Sequence, residues 1–239
     1  MSIILTETFE SRVAGPLAGQ GPWILVPGSG ANPVPTVNTA GLIDGPNSGT
    51  WSTGGADSTP NGVVAVLPTP LLSAKKYRIR LRAKIDVLAV TPGTEPYIGF
   101  FNGAPDLVGF TTDAFDIGFE YDPGLMTSVF TIYDGDNPKG VGNNTGLPAG
   151  TKFSVDFDLL GGGQYRLRLN DGIWGAVRNM YPGNFDVSQF GFMSNGHVEP
   201  GVVAVDSFRF DDFDEPLTEA NQREQDLYFL RQTKQELAF

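Results

Sequence analysis

The sequence predicts an all-β protein, a two-sheet antiparallel sandwich that ends in an α-helical tail. Three observations carry that prediction. Several runs alternate apolar and polar residues with a period of two, the pattern of a strand with one buried face. Gly (31) and Pro (18) are abundant in the 239 residues without a collagen-like period, which fits many turns between short strands. After Pro216 the chain contains neither Gly nor Pro and fills with Glu, Gln, Arg and Leu, a helix composition.

Taken in chain order, residues 28–62 are rich in Gly, Pro, Asn, Ser and Thr and are expected to form a long surface loop. Residues 37–43 are the one modest strand candidate inside it, and strand pattern resumes at 63–67. The clearest strand follows. Tyr77, Ile79, Leu81, Ala83, Ile85 and Val87 alternate with Arg78, Arg80, Arg82, Lys84 and Asp86, so one row is expected in a core and the other in water. Residues 97–101 and 127–133 read as strands. Between them Phe115, Ile117, Phe119 and Tyr121 alternate with Asp116, Gly118 and Glu120.

Residues 153–169 predict a hairpin around Gly161-Gly162-Gly163. A turn centred on Gly162 sets Asp158 opposite Arg166 and Asp156 opposite Arg168. The same register pairs Phe157 with Leu167 and Leu159 with Tyr165 on the other face. Opposite charges across a ladder contribute about 0.2–1 kcal/mol each, and one register satisfies charge and hydrophobicity together. Asn170-Asp171-Gly172 then reads as a tight turn. In the last strand Val203 and Val205 share one parity and Phe208 and Phe210 the other, so a bulge is expected near Asp206-Ser207.

The tail, 215–239, is separated from a sandwich at 1–214. Asp214 or Thr218 can cap its helix, and Ala220, Leu227, Leu230 and Leu237 form an apolar stripe that Phe229 widens. So thin a stripe does not hold a helix alone, so Leu227, Phe229, Leu230 and Leu237 are expected to bind a partner, a sister copy or the sandwich itself.

Composition narrows the function. With no Cys, disulfides and Cys-based zinc sites are excluded. A net charge of −11 argues against nucleic-acid binding, which needs a dense basic face. No run approaches the ~20 apolar residues of a membrane span, and no secretion leader is apparent, so synthesis in the cytoplasm is expected. His197 is the only histidine, which leaves no His-rich metal site and no confident catalytic triad. Asp134-Gly135-Asp136-Asn137 clusters possible calcium ligands, but the same residues suit a hairpin turn, and Pro138 stands where a further ligand belongs. The acidic run 211–215 reads as solvated and as the start of the helix. The row Arg78, Arg80, Arg82 and Lys84 reads as a salt-linked outer sheet face. Trp51, placed in the polar loop, Tyr97 and Tyr181 are each candidate sugar platforms, while Trp23 and Trp174 are assigned to the core or its rim. No cofactor is expected.

Three segments carry a family resemblance. The first runs through Phe9-Glu10-Ser11, Gly15, Leu17, Gly19-Gln20-Gly21 and Trp23. The second is Tyr165-Arg166-Leu167-Arg168-Leu169-Asn170-Asp171-Gly172, and the third runs from Val202 to Phe210. Over about residues 3–213 they resemble concanavalin A-like, or laminin-G-like, jelly-roll domains, which bring their first and last strands together in one sheet. The resemblance implies glycan chemistry, since that family includes lectins and glucanases. Its glucanases carry Glu-x-Asp-x-x-Glu on one strand. The nearest match here, Glu120-Tyr121-Asp122-Pro123-Gly124-Leu125, lacks the second Glu and meets a turn, so no catalytic residue is expected. A bare jelly roll with a docking tail implies a non-enzymatic decoration protein of a bacteriophage virion, assembled with other virion proteins or copies of itself. A carbohydrate-binding module is the alternative and a divergent glycanase the third reading.

Overall fold

The structure, a computed structural model, describes residues 2–26, 29, 35–52, 61–87, 96–103, 114–122, 127–134, 137–138, 147–179, 186–194 and 202–212. Strands β1 (Ser2–Glu7), β2 (Gly15–Pro16), β3 (Trp23–Leu25), β4 (Thr36–Asn38) and β5 (Ser48–Ser52) open the chain. The long pair β6 (Asn61–Leu71) and β7 (Tyr77–Val87) follows, then β8 (Pro96–Phe101), β9 (Ala114–Asp122), β10 (Thr127–Asp134) and β11 (Asn137–Pro138). The chain continues through β12 (Lys152–Gly161), β13 (Gln164–Leu169), β14 (Arg178–Asn179), β15 (Val187–Ser194) and β16 (Val202–Asp212).

Two antiparallel sheets result. The first runs β14-β13-β12-β7-β16-β5-β4-β2, with β1 added along the second half of β16. The other runs β11-β10-β9-β8-β15-β6-β3. The ends of the chain meet as expected, with Ile3 opposite Asp211 and Glu7 opposite Phe208. The apolar rows of both sheets face inward, from Ile79, Leu81, Phe157 and Phe210 on one side to Val63, Phe100, Phe190 and Phe192 on the other. At the centre Trp23 stacks on Phe192 at 5.1 Å, and Phe190 meets Phe208 edge-on at 4.8 Å.

The Phe9 segment closes one end of this core. Phe9 is fully buried with φ 59°, held there because its own N–H donates to Glu7 Oε1 at 3.0 Å. Glu7 also accepts from Arg12 Nε at 3.1 Å and Trp23 Nε1 at 3.3 Å, so one buried carboxylate ties the first strand to the core tryptophan. Gly49 makes room for the Phe9 ring, since a Cβ there would stand 2.6 Å from it.

The β12–β13 hairpin has the predicted register, Asp158 with Arg166, Asp156 with Arg168, Phe157 with Leu167 and Leu159 with Tyr165. Gly161, Gly162 and Gly163 all take positive φ at its tip. Gly172 N–H donates to Leu169 O at 2.9 Å across Asn170 (φ 50°) and Asp171 (φ 55°), the left-handed pair that a tight hairpin-type turn requires. The register of β16 against β7 shifts between Val205 and Ser207, where the bulge was expected. Asp134 pairs with Asn137, so that acidic cluster is a hairpin end.

Four expectations need correction. Residues 28–62 are not loop throughout. β4 and β5 add to the first sheet, and Trp51 lies on β5 opposite Val203, because the edge of β16 recruits a Ser- and Gly-rich segment that carries no alternation of its own. The polar row of β7 is not in water, since Arg78 and Arg80 are both buried. Asp211, read as solvated, is buried and accepts from Arg209 Nε at 2.7 Å. Trp174 is neither core nor rim and lies against arginines on the outer face of the first sheet. The tail with Leu227, Phe229, Leu230 and Leu237 lies outside the described residues, as do Tyr181 and His197.

Candidate functional site

The outer face of the first sheet is a grid of charge that the ladder register builds. Reading across β13, β12, β7 and β16, one row is Arg166, Asp158, Arg78 and Asp211. The next is Arg168, Asp156, Arg80 and Arg209. In the first row Arg78 is 1% exposed and Asp158 0%, and the guanidinium forks onto the carboxylate through Nε at 2.7 Å and Nη2 at 3.0 Å. Arg166 Nε adds a third donor at 3.0 Å. A buried carboxylate that accepts three charge-assisted bonds is well compensated, which is what lets a buried ion pair persist.

In the second row Arg168 binds Asp156 through both Nε, at 2.7 Å, and Nη2, while Arg80 Nε stands 3.6 Å from it. Burial pushes the Asp156 carboxyl above its usual value, and the opposing pull of Arg80 and Arg168 offsets this only in part. Trp174 lies across these arginines. Its ring is 4.8 Å from the guanidinium carbon of Arg78, 4.3 Å from that of Arg166 and 4.9 Å from that of Arg168. The indole covers charge that would otherwise face water, through cation–π contact.

The pattern changes one step along the sheet. Arg82 has Ser154 on one side and Ser207 on the other, both neutral. Beyond it Lys84 and Lys152 stand directly opposite each other, a like-charge pair that destabilises a ladder. No carboxylate faces Arg82 or Lys152 directly across the ladder, and a loop supplies the close one. Asp44 accepts from Arg82 Nη2 at 2.6 Å and from Lys152 Nζ at 3.0 Å, and Lys152 also reaches Ile43 O at 2.8 Å. Lys84 turns to Asp86 at 3.1 Å, and Asp206 at the bulge stands 4.0 Å from Arg82.

Between this loop and the Asn170-Asp171 turn lies a cleft of about 270 Å³. Its floor is residues 80–83 of β7 with Lys152, Phe153, Ser154 and Asp156 of β12. Asn170 braces the far wall, accepting the Ser154 N–H at 2.9 Å through its side chain and donating its own N–H to Ser154 O at 2.9 Å. The cleft therefore presents cations (Arg80, Arg82, Lys152), carboxylates (Asp44, Asp171) and neutral polar groups within a space slightly below the usual small-molecule range. Among the described residues, no cluster of three or more His, Cys, Asp or Glu forms a metal-binding group.

Trp51 and Tyr97 are placed by backbone only, Trp51 on β5 of the first sheet and Tyr97 on β8 of the other, where it pairs with Met193. They lie in different sheets. Glu120 and Asp122 end β9, and Asp122 pairs with Thr127 of β10, so the chain reverses where the glucanase pattern would continue. Of the predicted basic row, only Arg80 and Arg82 line the cleft. Asp44, Lys152 and the Asn170-Asp171 wall went unread as site residues. Asp44 is a lone acid in a Gly-rich stretch, and only its contact with a strand over 30 residues away gives it a role. The one legible signal was the pair of serines that interrupts the charged rows at 154 and 207.

No family model and no curated protein matches the sequence. Solved structures do match in fold. A cellulose-induced protein, Cip1, superposes with a TM-score of 0.60 at 13% identity, over 90% of this chain and 100% of that one. A carbohydrate esterase from Shiga toxin-encoding bacteriophage phi24B gives 0.56 at 17% identity, over 90% and 99%. Lectin II from Ulex europaeus gives 0.52 at 12% identity, over 88% and 99%. At such identities the likeness is one of fold, and the fold is the lectin-like jelly-roll sandwich.

Proposed function

We propose that the protein is a glycan-binding module and that the cleft over β7 and β12 is its binding site. The observation that carries this reading is the cleft itself: an indentation of about 270 Å³ in a sheet face, with cations on its strands and carboxylates on the loop and turn that wall it. Sugars are recognised by many directional hydrogen bonds to hydroxyls, and such a ring provides them. The fold likeness to a lectin, and to proteins whose names concern cellulose and carbohydrate esters, favours the same class. Binding without cleavage is part of the proposal. Two free carboxylates are needed for glycoside hydrolysis, whereas Asp44 is held by Arg82 and Lys152, and Asp156 by Arg168.

A glycan array probed with the full chain tests this. Binding should appear and fall at least about tenfold, or about 1.4 kcal/mol, in both Arg82→Ala and a cleft-filling Ser154→Phe. A protein that binds no glycan, or binding that both variants retain, removes the site. Near-UV circular dichroism confirms that each variant keeps its packed core.

The virion role is a separate proposal, favoured by the occurrence of this fold in a bacteriophage protein. Its test is co-sedimentation with particles from the native source, comparing the full chain with one lacking 215–239. Association that does not depend on the tail would refute the docking role given to Leu227, Phe229, Leu230 and Leu237.

A further inference from the structure

Building on the glycan-binding reading, we infer that the cleft takes a sugar bearing a carboxylate, a uronic acid, and that Asp44 is the internal carboxylate such a ligand displaces. Two cations, Arg82 and Lys152, have no carboxylate facing them across the ladder. Elsewhere on this face, Arg78 and Arg168 have carboxylates from the neighbouring strand, at positions the ladder fixes. Arg82, Lys84 and Lys152 have only Ser154, Ser207, Ala204 and one another as strand neighbours. Lys84 takes Asp86 two residues along its own strand and Asp206 of β16 stands off at 4.0 Å from Arg82, so Arg82 and Lys152 are left without a close carboxylate from the strands.

Asp44 answers two of them at once, at 2.6 and 3.0 Å, and does so from a loop. Its side chain is 34% exposed, against 0% for Asp158. Buried pairs with filled lone pairs are costly to break, whereas exposed pairs are worth little and exchange readily. A carboxylate therefore already sits on the Arg82 and Lys152 cations, and it is the replaceable kind. A ligand carboxylate has the same charge and the same planar pair of oxygens, so it meets Arg82 and Lys152 in the geometry that Asp44 now uses. The ring hydroxyls of the same sugar then face Asp171, whose side chain is 72% exposed on the opposite wall. Neutral sugars gain nothing from the cations, because Asp44 remains on them.

Calorimetric titration of the full chain with glucuronate oligosaccharides and with neutral glucose oligosaccharides of equal length separates the possibilities. The expected result is preference for the glucuronate series, weakened by added salt, with Asp44→Asn binding it about two- to five-fold more tightly because an exposed pair no longer competes. Arg82→Ala with Lys152→Ala should abolish that preference. Equal binding of both series, unaffected by Asp44→Asn, overturns the uronate assignment and leaves the glycan-binding site standing. Glucuronate binding that Asp44→Asn weakens overturns the displacement role, since Asp44 would then be a ligand contact. A chain that binds neither these series nor any glycan on the array fails at the earlier step, the binding function itself.

Discussion

Two parts of one sheet face handle the same problem differently. In the rows through Arg78 and Arg80, carboxylates arrive from the adjacent strand, are buried, and are capped by Trp174. Across from Arg82 and Lys152 the strands offer serine and lysine, and the close carboxylate comes from a loop and stays partly in water. Charges fixed by the ladder act as structure. Charges without a facing carboxylate in the ladder are met from a loop instead.

The sharpest way to break the comparison is to remove Asp158. Its loss strands Arg78 at 1% exposure with no carboxylate directly across from it on β12, and removal of one member of a buried pair costs about 3–5 kcal/mol. Urea denaturation of Asp158→Ala should show that loss, and a change below about 1 kcal/mol would mean the pair is no more structural than a surface one. Next in size is Trp174→Ala. Three guanidiniums lie 4.3–4.9 Å from the indole, and at this half-covered position about 1–2 kcal/mol is expected, read as a lower denaturation midpoint. An unchanged midpoint would show that the ring merely rests on the arginines.

Much of the ladder-fixed region was legible in the sequence. Period-two alternation in 77–87 and 153–169 gave β7, β12 and β13, and one register satisfied charge and packing together, so the Asp156 and Asp158 pairings across the hairpin could be written down in advance. The bulge at Asp206-Ser207 was visible as a slip in parity. Burial of those charges was not legible, because alternation says which row faces away from the core and not whether that row is covered. The cleft was least legible. β5 has no pattern of its own and is a strand only because β16 offers an edge, and Asp44 gains meaning only from contacts 38 and 108 residues away in sequence.

The loop-served region should respond in the opposite sense. Arg82→Ala removes an exposed pair worth less than about 1 kcal/mol of stability, yet it takes away the cation at the centre of the cleft. A binding defect with a nearly unchanged denaturation curve is the expected pairing of results. If stability falls as far as in Asp158→Ala, the two regions are equivalent and the contrast is wrong.

The smallest effect concerns pH and tests whether the ladder-fixed carboxylates are themselves alike. Burial raises the Asp156 carboxyl above its ordinary value of 3.8, with Arg80 and Arg168 opposing. A carboxyl that holds its proton more tightly in the folded state stabilises the fold below the unfolded value, and that contribution is lost as pH rises through the folded value. Asn cannot titrate, so the stability of the wild type relative to Asp156→Asn should be greatest near about pH 4 and should decline toward neutral pH. Denaturation of both proteins across that range measures the difference directly, with the other titrating groups common to both. A gap that widens with pH would mean the arginines outweigh burial, and Asp156 would then resemble a fully compensated ion pair.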